Sequence, residues 1–339
     1  MSRVLLTGLL LLCCGAAMAQ IDVRAAAPTA AALPEGARGV AIDPARGFHV
    51  AEIRDGVFWA TEGSHQFMFM RTGQGTVVID APPIFGERLL AAIRSASAEP
   101  VTHVIYSHAH ADHIGLAGAL PKGIEVIASE ATAAQLRWSG QARRAVPFGV
   151  LVGGGPVPLP TRTFRGSLSL RIGNKQLHLV EADGQAHSVG DTFVHLPEQR
   201  ILMAVDLVWP GWVPFQSLGE TADVAGYRRG LARLLSFDFD TIVTGHVGRL
   251  GTRADVETTI AYVDDLEQKV LAALQKTDFA AIGQRVGYTN PFLLVEAYFD
   301  DVARRANEEM LKTWRTRLGG ADVWTYKNAA KMMMWLRLH

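Results

Sequence analysis

The chain has 339 residues, with 33 basic and 33 acidic side chains, so its formal charge is zero. That balance disfavours a nucleic-acid binder, which normally carries a basic excess, and the 49% apolar composition is that of a globular chain rather than a disordered one. After the N-terminus no apolar run approaches the roughly 18 residues of a membrane span, so an integral membrane protein is not expected.

Residues 1–19 read as a secretory signal peptide. Arg3 gives the positive start, Val4 to Cys14 the short apolar core, and Ala17-Met18-Ala19 a small-residue cleavage site before Gln20. Export would place the mature chain in the periplasm or outside the cell. Both cysteines, Cys13 and Cys14, fall in the removed segment. The mature chain then has no thiol, and a metal would have to be held by nitrogen and oxygen.

Residues 20–46, rich in Ala, Pro and Gly, are expected to be a flexible leader. Strand-like runs follow at residues 56–60, 66–70 and 76–80, then a helical stretch from Phe85 to Ala96 and a strand from Val101 to Tyr106. A helix-like stretch to Leu120, a strand at Glu125–Ala128 and a helix at Glu130–Trp138 come next. Residues 139–163 are dense in Gly and Pro and read as a long loop, a candidate wall for a site. Strands return at residues 168–172, 176–181, 191–195, 201–205 and 239–244. A helix over 252–275 aligns Val256, Ile260, Val263, Leu266, Val270 and Leu274 on one face. Asn290 caps a further helix with Pro291 in its first turn, aligning Val295, Phe299, Val302, Ala306, Met310 and Trp314. Gly319-Gly320 stop it. A last segment carries Met332-Met333-Met334-Trp335, expected to serve packing or an oligomer contact.

Chemistry concentrates after the strand ending at Tyr106, in Ser107-His108-Ala109-His110-Ala111-Asp112-His113. Three of the 11 histidines lie in this window, and desolvating them without a partner would be costly. His108 and His110 are two apart, so on extended backbone they project together, while adjacent Asp112 and His113 must diverge. That suits two metal ions, one taking the first pair and the other the second. Neutral imidazole and carboxylate suit zinc. His187, Asp206 and His246 each stand in a turn or at a strand end, the histidines with glycine nearby, which is how a fold gathers ligands at one sheet edge. The remaining histidines, His49, His65, His103, His178, His195 and His339, show no ligand context.

The ordered set His108-x-His110-x-Asp112-His113, His187, Asp206 and His246 resembles the metallo-β-lactamase superfamily over roughly residues 48–278. The resemblance implies an α/β fold, a four-layer αββα sandwich over residues 47–278, with residues 279–339 as a C-terminal helical extension. It implies two zinc ions: His108, His110 and His187 on the first, Asp112, His113 and His246 on the second, and Asp206 bridging them. Asp80 resembles a structural aspartate of the family. Asp206 stands where one β-lactamase subclass has Cys, Ala186 where many members have Gly, and His110 where di-iron flavoproteins have Glu. The expected reaction is attack of a metal-bound hydroxide, oriented by Asp112, on a small carbonyl, ester, lactone or lactam substrate. The aromatic run Val208 to Phe215 could line the pocket or serve as core. The alternatives are a β-lactamase proper, a mononuclear-iron sulfur oxidoreductase, and a periplasmic accessory protein. Oligomerisation through the C-terminal helices is open.

Overall fold

The structure, a computed structural model, describes residues 31–139 and 156–339. The expected signal peptide, the first part of the leader and most of the Gly/Pro loop lie outside the described residues. The twelve strands among the described residues form two sheets. The first runs, in spatial order, through β1 (His49–Arg54), β2 (Val57–Thr61), β3 (Gln66–Arg71), β4 (Thr76–Ile79), β5 (Val101–Ile105), β6 (Glu125–Ser129) and β7 (Arg162–Phe164). Its first four strands pair antiparallel and its last three join on in parallel. The second holds β8 (Ser167–Ile172), β9 (Lys175–Glu181), β10 (Thr192–Leu196), β11 (Ile201–Met203) and β12 (Thr241–Val243), with β12 on β11 as its one parallel pair.

Alternation along the strands builds the layers. In β3, Phe67 and Phe69 face outward to the helices Arg88–Arg94 and Glu130–Ser139, where they pack with Leu89, Ile93 and Leu136. Met68 and Met70 face inward and meet the second sheet through Leu177, Leu179, Val194 and Met203. Beyond the second sheet lies the other helical layer, Val224–Leu234, Arg253–Lys276, Pro291–Trp314 and Ala321–Leu336, sharing one core. This is the αββα order, with the C-terminal helices added to the second outer layer. Val256, Val263, Leu266 and Val270 are buried against Val302, Ala306, Met310, Trp314 and Met332, so the extension and the sandwich share a single apolar core. Asn290 caps as expected, its Oδ1 accepting from the N–H groups of Phe292 and Leu293, each at 3.1 Å. Val295 is the exception on that face and lies exposed.

From Pro34 the expected leader is docked. Ala37 is buried, its carbonyl accepts from the Trp212 indole at 2.7 Å, and the Val40 N–H donates to Gly248 O at 2.9 Å. Low periodicity there reflects irregular backbone tied down by tertiary hydrogen bonds. Among the described residues no helix is long and apolar enough to cross a membrane.

Candidate metal centre

The chain leaves β5 at Tyr106, whose N–H still donates to Ile127 O at 2.9 Å. The next residue is pinned on both sides. The Ser107 N–H donates to Asp80 Oδ1 at 2.8 Å, and Ser107 O accepts from the Thr192 N–H at 2.7 Å. His110 then enters a short helix, Ala111–Ile114, and the carbonyl of His113 accepts from the Ala81 N–H at 2.7 Å. Asp80 is thus an anchor for the histidine segment. Burial pushes its carboxyl up to about 6 from 3.8, against the His113 charge and the Ser107 hydrogen bonds.

The other ligand candidates arrive from the second sheet. His187 precedes β10, and its N–H donates to Asp191 Oδ2 at 2.7 Å. Asp206 follows β11 in the left-handed region, at φ 60°. His246 follows β12 and bridges to the residue before β3, with His65 opposite it. Gly245 is forced by space: a Cβ there would sit 2.5 Å from His113 Cε1 and 2.6 Å from Asp206 Oδ1. Non-glycine residues at positive φ gather round this edge, Asp80 at 65°, Asp206 at 60° and Val247 at 73°. Such strain persists where surrounding contacts over-determine it.

All seven side chains converge, in two overlapping groups. His108, His110, His187 and Asp206 form one, and Asp112, His113, Asp206 and His246 the other; within each, one donor atom per residue lies within 4.8 Å of the rest. In the first group His187 Nε2 is 2.9 Å from His110 Nδ1, and 3.5 Å from Asp206 Oδ2. In the second, His113 Nε2 lies 3.0 Å from Asp206 Oδ2 and 3.3 Å from Asp112 Oδ2, and His246 Nε2 lies 3.1 Å from Asp206 Oδ1. Asp112 and His113 do not diverge as extended backbone would require. On a helical turn, neighbours are about 100° apart, and both tips reach the same group.

The donor set fits a cation. His108 Nε2, both ring nitrogens of His113 and Asp206 Oδ1 are buried and, for all the close approaches within the groups, have no well-aligned hydrogen-bond partner among the described residues, a state that native structures rarely leave unexplained. One ring has its lone pair aimed by its other nitrogen. His187 Nδ1 lies 2.7 Å from the Gly219 carbonyl, an acceptor only, so Nδ1 carries the proton and Nε2 the lone pair. His108 Nδ1 is 2.9 Å from Ser107 Oγ, a hydroxyl that can donate or accept, and its Nε2 faces Asp206 Oδ2 at 3.7 Å. The field agrees. Burial alone would push the His113 ring down, but the Asp206 and Asp112 carboxylates hold it well above its ordinary value. Burial would raise Asp112 and Asp206; instead His113 holds both far below the usual carboxylate range, with His65 adding for Asp112 and His246 for Asp206. The pocket thus asks for positive charge and offers imidazole nitrogen and carboxylate oxygen, as a divalent transition-metal site does.

His65 was not expected here. Its Nε2 stands 3.6 Å from Asp112 Oδ2, its ring 4.3 Å from that of His246, and Glu62 Oε1 lies 3.6 Å from its Nδ1. It supports the second group from behind. His49, His103, His178, His195 and His339 belong to neither group.

The Val208–Phe215 run is mostly core. Val208 and Val213 are buried, and Trp209 is buried with its ring roughly parallel to that of His246 at 6.4 Å. Trp212 covers Gly319 and Gly320, while Phe215 is partly exposed against Trp324. The loop therefore borders the centre at Trp209 and seats the C-terminal helices elsewhere. The described end of the Gly/Pro loop, Pro156 to Leu159, lines a cavity of about 960 Å³ with Leu116, Leu120 and Leu136; none of the seven residues lines it.

An αββα sandwich with this His/Asp set at one edge defines a class, and the comparisons agree. Residues 60–246 match the metallo-beta-lactamase superfamily, and the chain belongs to that superfamily. It is similar to the 2,4-dinitroanisole O-demethylase subunit alpha of Nocardioides sp. (strain JS1661), 28% identical over 206 residues, which are 59% of this chain and 58% of that one. Among solved structures it resembles a metallo-beta-lactamase from Pontibacter korlensis, with TM-score 0.52 and 23% identity over 63% of this chain and 97% of the other. The metallo-beta-lactamase IND-7 gives TM-score 0.52 and 20% identity over 63% of this chain and 96% of that one. Identities of that size speak for the fold.

Proposed function

We propose that this chain is an exported metal-dependent hydrolase that holds two zinc ions and cleaves a small carbonyl, ester, lactone or lactam substrate. The observation that carries this reading is the pair of overlapping groups sharing Asp206, with buried imidazole nitrogens and a carboxylate oxygen that find no well-aligned hydrogen-bond partner among the described residues. His108, His110 and His187 would hold one ion, Asp112, His113 and His246 the other, and Asp206 would reach both. When bound, the ions supply Lewis acidity, which lowers the pKa of water towards neutrality and polarises the bond to be cut. Asp112 is the catalytic residue of this reading. Held far below its ordinary range, it is a weak base; its work is to orient the attacking water by accepting its hydrogen bond. Its side chain is the most exposed among those of Asp112, Asp206, His108, His113, His187 and His246, which keeps a face open to water and substrate. Asp206, His113 and the buried wall at Trp209 fix the charge distribution and exclude bulk water on the other side.

Metal analysis with a substrate panel tests this. The panel contains a chromogenic β-lactam, lactones, aryl esters, sulfate esters and, because a relative carries it in its name, 2,4-dinitroanisole. Turnover of at least one member, lost on chelation and restored by zinc, is the expected result. A single iron per chain would favour sulfur oxidation instead. Failure on every member with both ions bound would favour an accessory role. For export, N-terminal sequencing of the mature protein is expected to begin at Gln20.

A second reading is that the chain works as one subunit of a larger assembly. The relative's name calls it a subunit, and Phe279, Phe292 and Leu293 on the C-terminal helices, with Tyr288 between them, are exposed. Light scattering on the purified chain tests it, a mass above that of one chain being the supporting result.

A further inference from the structure

We propose that Asn328, buried on the C-terminal helix Ala321–Leu336, is a positioning residue for His187, acting through a left-handed turn of backbone at Ser217–Glu220. The inference rests on the metal-centre reading only for what it says about affinity; its structural half stands without it.

Ser217, Leu218, Gly219 and Glu220 follow one another at φ 56°, 57°, 67° and 60°. A run of left-handed residues, three of them not glycine, is disfavoured for L-amino acids and needs an external clamp. The turn is what presents the Gly219 carbonyl to His187 Nδ1 at 2.7 Å. That bond decides which nitrogen carries the proton and hence which one faces His110.

The clamp comes from the helical extension. The Leu218 N–H donates to Asn328 Oδ1 at 2.8 Å, and Asn328 Nδ2 donates to Pro214 O at 2.9 Å, so one amide brackets the turn from before its start to its middle. Asn328 is itself steadied by Tyr262, whose hydroxyl lies 3.3 Å from Nδ2 and donates to Thr325 Oγ1 at 3.0 Å. Asn328, Thr325, Tyr262 and Leu218 are all buried, amid the apolar side chains of Ala321, Ala329 and Met332. A polar amide placed there costs desolvation unless every partner is met, and here its bonds are spent on the turn. On the far side Thr221 Oγ1 donates to Ala186 O at 3.0 Å, tying the end of the same segment to the residue before His187. The extension is thus a brace behind the first ligand group.

The test compares Asn328→Leu, which removes both bonds that bracket the turn, with Met332→Ala, a buried substitution on the same helix that loosens the same apolar packing but removes no hydrogen bond to the turn. Two readouts are taken: the ¹⁵N shifts of the His187 ring in the metal-free chain, and zinc affinities from competition with a chromogenic chelator. In Asn328→Leu the Nδ1-protonated signal of His187 is expected to be lost or mixed, and one of two zinc constants to weaken by about 10–100-fold with the other nearly unchanged. Met332→Ala is expected to lower Tm and move neither. If Asn328→Leu does not fold, Asn328→Asp, which keeps the oxygen for Leu218 and loses the donor to Pro214, carries the same test with a smaller shift. A wild-type His187 signal and wild-type zinc constants in the Asn328 variant would overturn the proposal, as would equal shifts in Met332→Ala. Should the wild-type chain bind no zinc, the metal reading falls, and the His187 signal alone decides the role of Asn328.

Discussion

Gly245→Ala is the sharpest perturbation of the centre that replaces none of its seven residues. The added Cβ would stand 2.5 Å from His113 Cε1, 2.6 Å from Asp206 Oδ1 and 2.7 Å from Val205 Cγ1. Ordinary contact between such atoms needs roughly 3.5–4.0 Å, so each must retreat by about 1 Å or the strand end must move as far. None of the three has room: His113 and Val205 are buried in the sandwich, and Asp206 sits at a left-handed φ of 60° fixed by its neighbours. Overpacking of this kind costs about 1–3 kcal/mol of stability. A displacement of about 1 Å in a reacting constellation costs on the order of 100-fold in rate. The expected outcome is a folded protein with Tm lowered by several degrees, weakened metal retention on dialysis, and turnover down by roughly that factor. Calorimetry, metal analysis and kinetics on the same preparation check it. A variant that keeps full metal content and full activity would refute the packing of Gly245 between His113 and Asp206.

Asp112→Ala is expected to lower kcat by about 10²–10⁴-fold while the chain stays folded, since the side chain it removes is partly exposed and its proposed role is to orient water; retained turnover with full metal content would count against that role. His65→Ala is expected to weaken one of two zinc constants by about 10-fold through loss of support behind Asp112, read by chelator competition. For Asp80 the sign follows from its raised pKa: the folded chain holds the proton more tightly than the unfolded one, so this group's stabilisation is full below about 4 and is lost as pH rises through about 6. In the metal-free chain, Asp80→Asn should therefore gain stability relative to wild type between those values, by at most about 3 kcal/mol for a shift of roughly two units, and a Tm difference independent of pH would contradict it.

The convergence of the seven side chains was legible because clustered histidine and aspartate leave a mark that packing does not. Histidine and aspartate after apolar strands, as at Asp206 and His246, have no reason to be there for the core. His65 was illegible because its partners Asp112 and His246 are distant in sequence, and only the bridge between the sheets brings them together. The helix Val224–Leu234 was hidden by Gly226 and Gly230, which lower helix propensity. Those glycines are there for space: a Cβ would meet Gln185 O at 2.1 Å from Gly226 and Ala186 Cβ at 2.7 Å from Gly230, so the helix can press on the turn that carries His187. The left-handed turn at Ser217–Glu220 has one glycine to announce it, and its cause lies in Asn328, far along the chain. The aromatic run after Asp206 could be read either way, because bulky apolar residues suit a pocket wall and a core alike. The burial of Val208, Trp209 and Val213 settles most of it as core.

Metal stoichiometry of the wild-type chain tests the central claim most directly. The protein is stripped with a chelator, reloaded with zinc, dialysed and analysed alongside His187→Ala and His246→Ala. Two ions per chain in the wild type, with one lost in each variant, is the result the shared-Asp206 arrangement predicts. One ion or none in the wild type, or two ions persisting in both variants, would contradict it.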